Sequence, residues 1–124
     1  VDRVLLLFRH RFITDTWGWE IPASWAEPGE NPTETIRRKV LEDTGYRVST
    51  MRPLTTYNPM FEISSQQYQL FVGSDVERIG EPEPTEASRV EWIPLALVPQ
   101  LMTAGQVLDG PSLTALAYYH ATTQ

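Results

Sequence analysis

The sequence predicts an α/β domain with a mixed β-sheet sandwiched between α-helices. Three observations carry this. Apolar or alternating runs bounded by turn residues recur along the chain and read as strands. One segment lies between an Asn-Pro pair and a glycine, the punctuation of a helix. Strands and helices also interleave rather than segregate, and the 124 residues, 41% hydrophobic and 21% charged, suit one domain spanning 1–124.

Val4 to Arg9 is apolar almost throughout, the pattern of a strand covered on both faces. Trp17 to Ile21 reads as a second strand with aromatics alternating outward and inward, ended by Pro22. A loop with Pro28 and Gly29 follows. Asn31, Pro32 and Glu34 then stand as N-cap, first helical residue and capping-box partner, and Gly45 supplies the C-terminal stop, so a helix is predicted over 32–44. Strands are predicted over 47–57, 67–72 and 89–93. Helices are predicted over 97–104, where Pro99 falls in the first turn, and over 112–121. The chain opens at Val1, not Met, and enters a strand almost at once, so N-terminal residues are expected to be missing from this numbering.

Composition excludes whole classes of chemistry. Without cysteine there are no disulfides, thiolate metal sites or thiol nucleophiles, and His10 and His120 are the only imidazoles. Any chemistry must rest on carboxylates. Ten basic against sixteen acidic residues, a net charge of −6, argues against a nucleic-acid partner, which needs a basic stripe to displace counterions. No apolar run is long enough for a membrane span and no targeting segment is visible, so a cytoplasmic location is expected.

The predicted helix turns Ile36, Val40 and Leu41 toward one side and gathers Lys39, Glu42 and Asp43 in another sector about 100° wide. Arg38 borders that sector, and the preceding turn brings Glu30 and the backbone of Ala23 within reach. Two carboxylates and a carbonyl are hard oxygen ligands, suited to a divalent cation bridging a diphosphate. The plain alternative is a solvated helix face on which Lys39 pairs with Asp43 at i,i+4, worth a few tenths of a kcal/mol.

The stretch Trp19-Glu20-Ile21-Pro22-Ala23-Ser24, then Glu27-Pro28-Gly29-Glu30, then Arg38-Lys39-Val40-Leu41-Glu42-Asp43-Thr44-Gly45-Tyr46 resembles the Nudix box with its upstream strand. The family pattern is Gly, five residues, Glu, seven residues, Arg-Glu-apolar-any-Glu-Glu-any-Gly-apolar. The spacing is intact over 24–46, with Ser24 at the first position. Trp19 to Gly29 resembles the strand and loop of the ADP-ribose and nucleotide-sugar pyrophosphatase branches, and the segment from Glu86 to Leu116, with Trp92-Ile93-Pro94, a short helix and Gly105, resembles the family's usual C-terminal half.

The resemblance implies a Nudix fold and hydrolysis of a nucleoside diphosphate linked to another group, ADP-ribose before others. It implies Mg2+ or Mn2+ as cofactor and water attacking phosphorus. By position, Glu42 and Asp43 become metal ligands with the carbonyl of Ala23, Arg38 orients them and Glu30 supports the loop. Glu86 matches a downstream glutamate that can serve as general base; the alternative is one more acid in a solvated loop. Arg9, Lys39 and Trp19 are the residues expected to meet the ligand, Arg9 and Lys39 at phosphate and Trp19 by stacking on a base. Arg11, like Arg9 close to the end of the first strand, could also meet a phosphate or carboxylate; core or surface roles are the alternatives for both arginines and for Trp19.

Three positions depart from the pattern. Ser24 replaces glycine, a strained choice if that backbone needs positive φ. Asp43 replaces a longer Glu. Lys39, the chain's one lysine, replaces a glutamate that helps hold the metal and changes the local formal charge by two units. A like-charge contact at ~4 Å and an effective dielectric near 20 costs about 4 kcal/mol, roughly a thousandfold in affinity. Impaired metal binding is therefore expected. The ammonium could still hold a substrate phosphate as a point charge. Three functions stay open: a pyrophosphohydrolase, a catalytically inactive domain that binds such a ligand as sensor or interaction module, and a structural domain that forms a homodimer.

Overall fold

The structure, a computed structural model, describes residues 3–83 and 87–123, with side chains at 87 and 88 left out. In chain order the elements are β1 (Arg3–Arg11), β2 (Thr16–Glu20), α1 (Pro32–Thr44), β3 (Tyr46–Tyr57), β4 (Tyr68–Arg78), β5 (Ala87–Pro94), a 3-10 turn (Leu95–Leu97), α2 (Val98–Thr103) and α3 (Gly110–Thr122). The α/β class is as expected. The ladders form two sheets, β2-β1-β5 and β3-β4, and each described pairing is antiparallel. The chain divides into two compact units, Val1–Pro22 with Pro82–Gln124, and Ala23–Glu81.

In the first unit β1 is the central strand, and its apolar run explains that place. Leu6 and Leu7 point to opposite faces and both are fully buried, which a strand at a sheet edge or with one wet face would not show. Leu6 joins Trp19, Val98, Val107 and Leu116 in the core, with Val4, Phe8 and Ile93 packed against it. Asp109 caps α3: its Oδ2 accepts from the backbone N–H of Ser112 at 3.1 Å and from the Ser112 hydroxyl at 2.6 Å. That fully buried hydroxyl accepts in turn from the N–H of Ile21 at 3.0 Å, tying the end of β2 to α3.

In β2, Trp17 and Trp19 do not alternate as expected. Two residues apart on a strand, they share a face, and both rings meet Phe8, at 5.2 and 4.9 Å between centroids. Their burial differs, 46% against 6% exposed, because Trp17 stands at the turn end of the hairpin. The predicted helix over 97–104 is shorter and preceded by a 3-10 turn, with Pro99 in its first turn, and the last helix runs 110–122.

In the second unit, α1 occupies the predicted 32–44. Asn31 Oδ1 accepts from the N–H groups of Thr33 (2.9 Å) and Glu34 (3.4 Å). The carboxylate of Glu34 pairs with Arg37 instead of returning to the cap. Arg37 Nε donates to the Val48 carbonyl at 2.9 Å, which fastens α1 to β3. Gly45 is left-handed (φ 79°), and its carbonyl accepts from the N–H groups of Ile79 (2.9 Å) and Gly80 (3.3 Å). β4 extends to Arg78, six residues beyond the predicted end at Val72.

Among the described residues, no helix is long and apolar enough to cross a membrane.

Candidate active site

The site expected from the box positions lies in the second unit. Ahead of α1 the chain turns at Glu27–Glu30: the Glu30 N–H donates to the Glu27 carbonyl at 2.9 Å, and Glu30 Oε1 accepts from the Glu27 N–H at 2.7 Å. Gly29, at φ 89°, takes the bend that a side chain would resist. Glu30 thus holds its own loop with one oxygen. The other faces Arg38, whose Nη2 stands 3.7 Å from Glu30 Oε2 while its Nε stands 3.7 Å from Glu42 Oε1. One guanidinium, 60% exposed, spans loop and helix.

One turn along α1, Lys39 Nζ lies 3.5 Å from Asp43 Oδ1. The helical spacing anticipates this pair; the environment differs from the expected wet face. Asp43 is 2% exposed and, with Thr35 and Thr44, makes up the buried set of α1, whereas Ile36, Val40 and Leu41 are only partly buried. A carboxylate taken this far from water needs compensating charge, and the Lys39 ammonium supplies one.

The other candidates sort by unit. Ala23 and Ser24 are exposed on the loop, and Ser24 is not among the positive-φ residues, so the serine in place of glycine carries no left-handed strain. Arg9 and Trp19 belong to the first unit, Arg9 in β1 opposite Gly18 and Ala87. Trp19 is a core residue rather than an open stacking surface: its ring lies against Phe8, with Arg89 5.2 Å from its centroid. Trp17 is the more exposed ring of that strand. Glu86 lies outside the described residues.

Two features went unassigned at the level of sequence. Arg37 fixes the helix that carries the site, a role that shows only once β3 is placed beside α1. Glu20 is a buried carboxylate held by Arg11, so Arg11 is engaged within its own sheet. The Trp-Glu-Ile-Pro run was a visible signal for it: a charged residue inside an otherwise apolar strand is present because something pairs it.

A magnesium-like ion takes several hard oxygen ligands. Glu42 and Asp43 are such donors and adjacent, but each is matched to a cation one turn earlier on the same helix. Among the described residues, no three Asp, Glu or His side chains group as a metal site. Among the described residues, the side chains as paired here do not fit a resident divalent ion.

Comparison with known proteins bears on the same residues. A family profile described as NUDIX domain matches residues 2–113. Over 118 residues the chain is 36% identical to CMP-5'-(N-acetyl-N-hydroxy-3-aminopropyl)phosphonate hydrolase of Streptomyces rubellomurinus, taking in 94% of the chain and 57% of that protein. Over 122 residues it is 23% identical to ADP-ribose pyrophosphatase of Mycobacterium tuberculosis, with 95% and 59% covered. The chain thus spans less than two thirds of these curated relatives. Among solved structures, an ADP compounds hydrolase superposes with a TM-score of 0.83 at 18% identity, covering 97% of the chain and 65% of that structure, a likeness of fold.

Proposed function

The chain belongs to the NUDIX family, and from that premise we propose that it acts on a nucleoside diphosphate joined to another group, as a pyrophosphohydrolase whose turnover Lys39 holds low. The observation that carries this reading is the arrangement on α1: Arg38 between Glu30 and Glu42, with Asp43 next in the box and paired to Lys39. The reading takes residues 1–124 as one domain in a cytoplasmic, small-molecule role without a nucleic-acid partner.

The relatives support the substrate class. One is described as acting on CMP joined to a phosphonate and the other on ADP-ribose, and both substrates are a nucleotide phosphoryl group bonded to a second moiety. ADP-ribose is the first compound to test and the CMP-phosphonate the second. Arg38 and Lys39 are the cations that would meet the phosphates: the guanidinium offers a planar fork and the ammonium a compact point charge.

The family generally uses a divalent metal such as Mg2+. Here the donor set is incomplete, so the reading carries slow turnover and no step is assigned to a metal. A second reading, a catalytically inactive domain that binds such a ligand, is favoured by the Lys39–Asp43 pair itself, which occupies a carboxylate the chemistry would otherwise use.

One experiment tests both. Release of product from ADP-ribose, the CMP-phosphonate, nucleotide sugars and nucleoside triphosphates is measured with Mg2+ or Mn2+, for the chain and for Lys39→Glu. The variant is expected to turn over faster. Equal rates would remove Lys39 from the reacting region and overturn the reading of it. Calorimetric binding without turnover in either form favours the inactive domain, and no binding to any nucleotide overturns both.

A further inference from the structure

We infer that Lys39 takes the place of the divalent cation, so that ligand capture at this site runs on the protein's own ammonium and guanidinium and needs no metal. The inference rests on the reading of the site as one for a diphosphate, and it follows from charge balance. With the pattern's glutamate at position 39, four carboxylates at 30, 39, 42 and 43 surround one guanidinium at 38, a deficit of three positive charges of which one dication fills two. In this chain position 39 is itself cationic: Arg38 and Lys39 face Glu30, Glu42 and Asp43, so the lysine supplies the two units of charge that a dication would bring and leaves one negative charge over.

The geometry matches the arithmetic. Asp43 is almost wholly buried, and Lys39 Nζ lies beside it at 3.5 Å. A dication approaching Asp43 would have to displace a covalently tethered ammonium and would gain fewer anionic ligands for doing so. The Lys39 side chain is nevertheless 35% exposed and Arg38 more so, so both can also face an anion from solvent. Neighbours in sequence, they present two positive charges to a diphosphate without a bridging ion.

The test measures binding of ADP-ribose and of inorganic pyrophosphate to the full chain by calorimetry, once with Mg2+ and once with EDTA. Uptake of Mn2+ alone is followed by electron paramagnetic resonance. For the chain as given, affinity is expected to agree within about twofold between the two buffers. Lys39→Gln is expected to weaken binding about tenfold or more in both. Lys39→Glu is expected to take up Mn2+ and to bind ligand only with metal. Thermal melts confirm that each variant folds, and Lys39→Met replaces Lys39→Gln if the latter does not. Binding by the unaltered chain that collapses in EDTA, or Mn2+ uptake equal to that of Lys39→Glu, overturns the substitution of metal by lysine while leaving the diphosphate site standing. Absence of binding in every buffer overturns both.

Discussion

Arg11 holds Glu20 through two bonds, Nε at 2.9 Å from Oε2 and Nη2 at 2.6 Å from Oε1, and the glutamate side chain is only 8% exposed. The fork geometry satisfies both carboxylate oxygens at the point where β2 ends. Such a pair contributes little over an apolar replacement, but half of it is costly, because a lone buried charge has neither water nor partner. Arg11→Met is therefore expected to lower the unfolding free energy by about 2–3 kcal/mol, below the fully buried limit because the arginine is half exposed. Adding Glu20→Gln should restore part of the loss. Urea denaturation of both single variants and the double measures the coupling, and strictly additive losses would show that the two residues act independently.

Gly45 combines two constraints at the end of α1. Its φ of 79° is left-handed, and a Cβ built on it would stand 2.2 Å from the Gly80 carbonyl oxygen, a backbone atom that cannot step aside cheaply. Gly45→Ala is expected to cost more than the ~1 kcal/mol that a left-handed alanine costs alone, on the order of 3 kcal/mol. A melting temperature within a degree or two of the unaltered chain would mean that the crossing near Gly80 opens freely.

Much of this arrangement is legible in the sequence because it is local. Asn31, Pro32 and Gly45 mark both ends of α1, and the spacing from Ser24 through Glu30 to Arg38 and Glu42 places loop and helix acids around one guanidinium. What escapes is non-local. The second half of β4 contains Ser74, Asp75, Glu77 and Arg78 and reads as a polar loop, but it is held in register by partners on β3: Thr50 donates to Asp75, and Arg47 pairs with Glu77. The burial of Asp43 escapes for the same reason. A helical wheel groups it with Lys39 and Glu42 as a charged sector, and it carries no information about which part of that sector is removed from water.

The cap of α1 makes a smaller, separable prediction. Asn31 Oδ1 serves two N–H groups of the first turn, and the residue is exposed, so its removal opens no cavity. Asn31→Ala should cost about 1 kcal/mol and Asn31→Gly only a few tenths. A scan in urea distinguishes them, and equal losses would assign the effect to something other than the lost acceptor.

Arg38 separates stability from recognition. Its two ion pairs are long, 3.7 Å each, and the guanidinium is mostly in solvent, conditions under which ion pairs contribute under about 1 kcal/mol. Arg38→Ala should therefore leave the urea midpoint nearly in place. The Arg38 side chain is 60% exposed against 35% for Lys39, so Arg38 is the more open cation facing an incoming diphosphate, and its loss leaves Glu30 and Glu42 as unbalanced negative charge beside the ligand. Affinity for ADP-ribose is expected to fall about tenfold or more, and Arg38→Lys should recover only part of it, since the forked contact is lost while the charge is kept. Calorimetry beside denaturation decides the matter: a variant that loses stability but binds as before would make Arg38 a brace between loop and helix and nothing more.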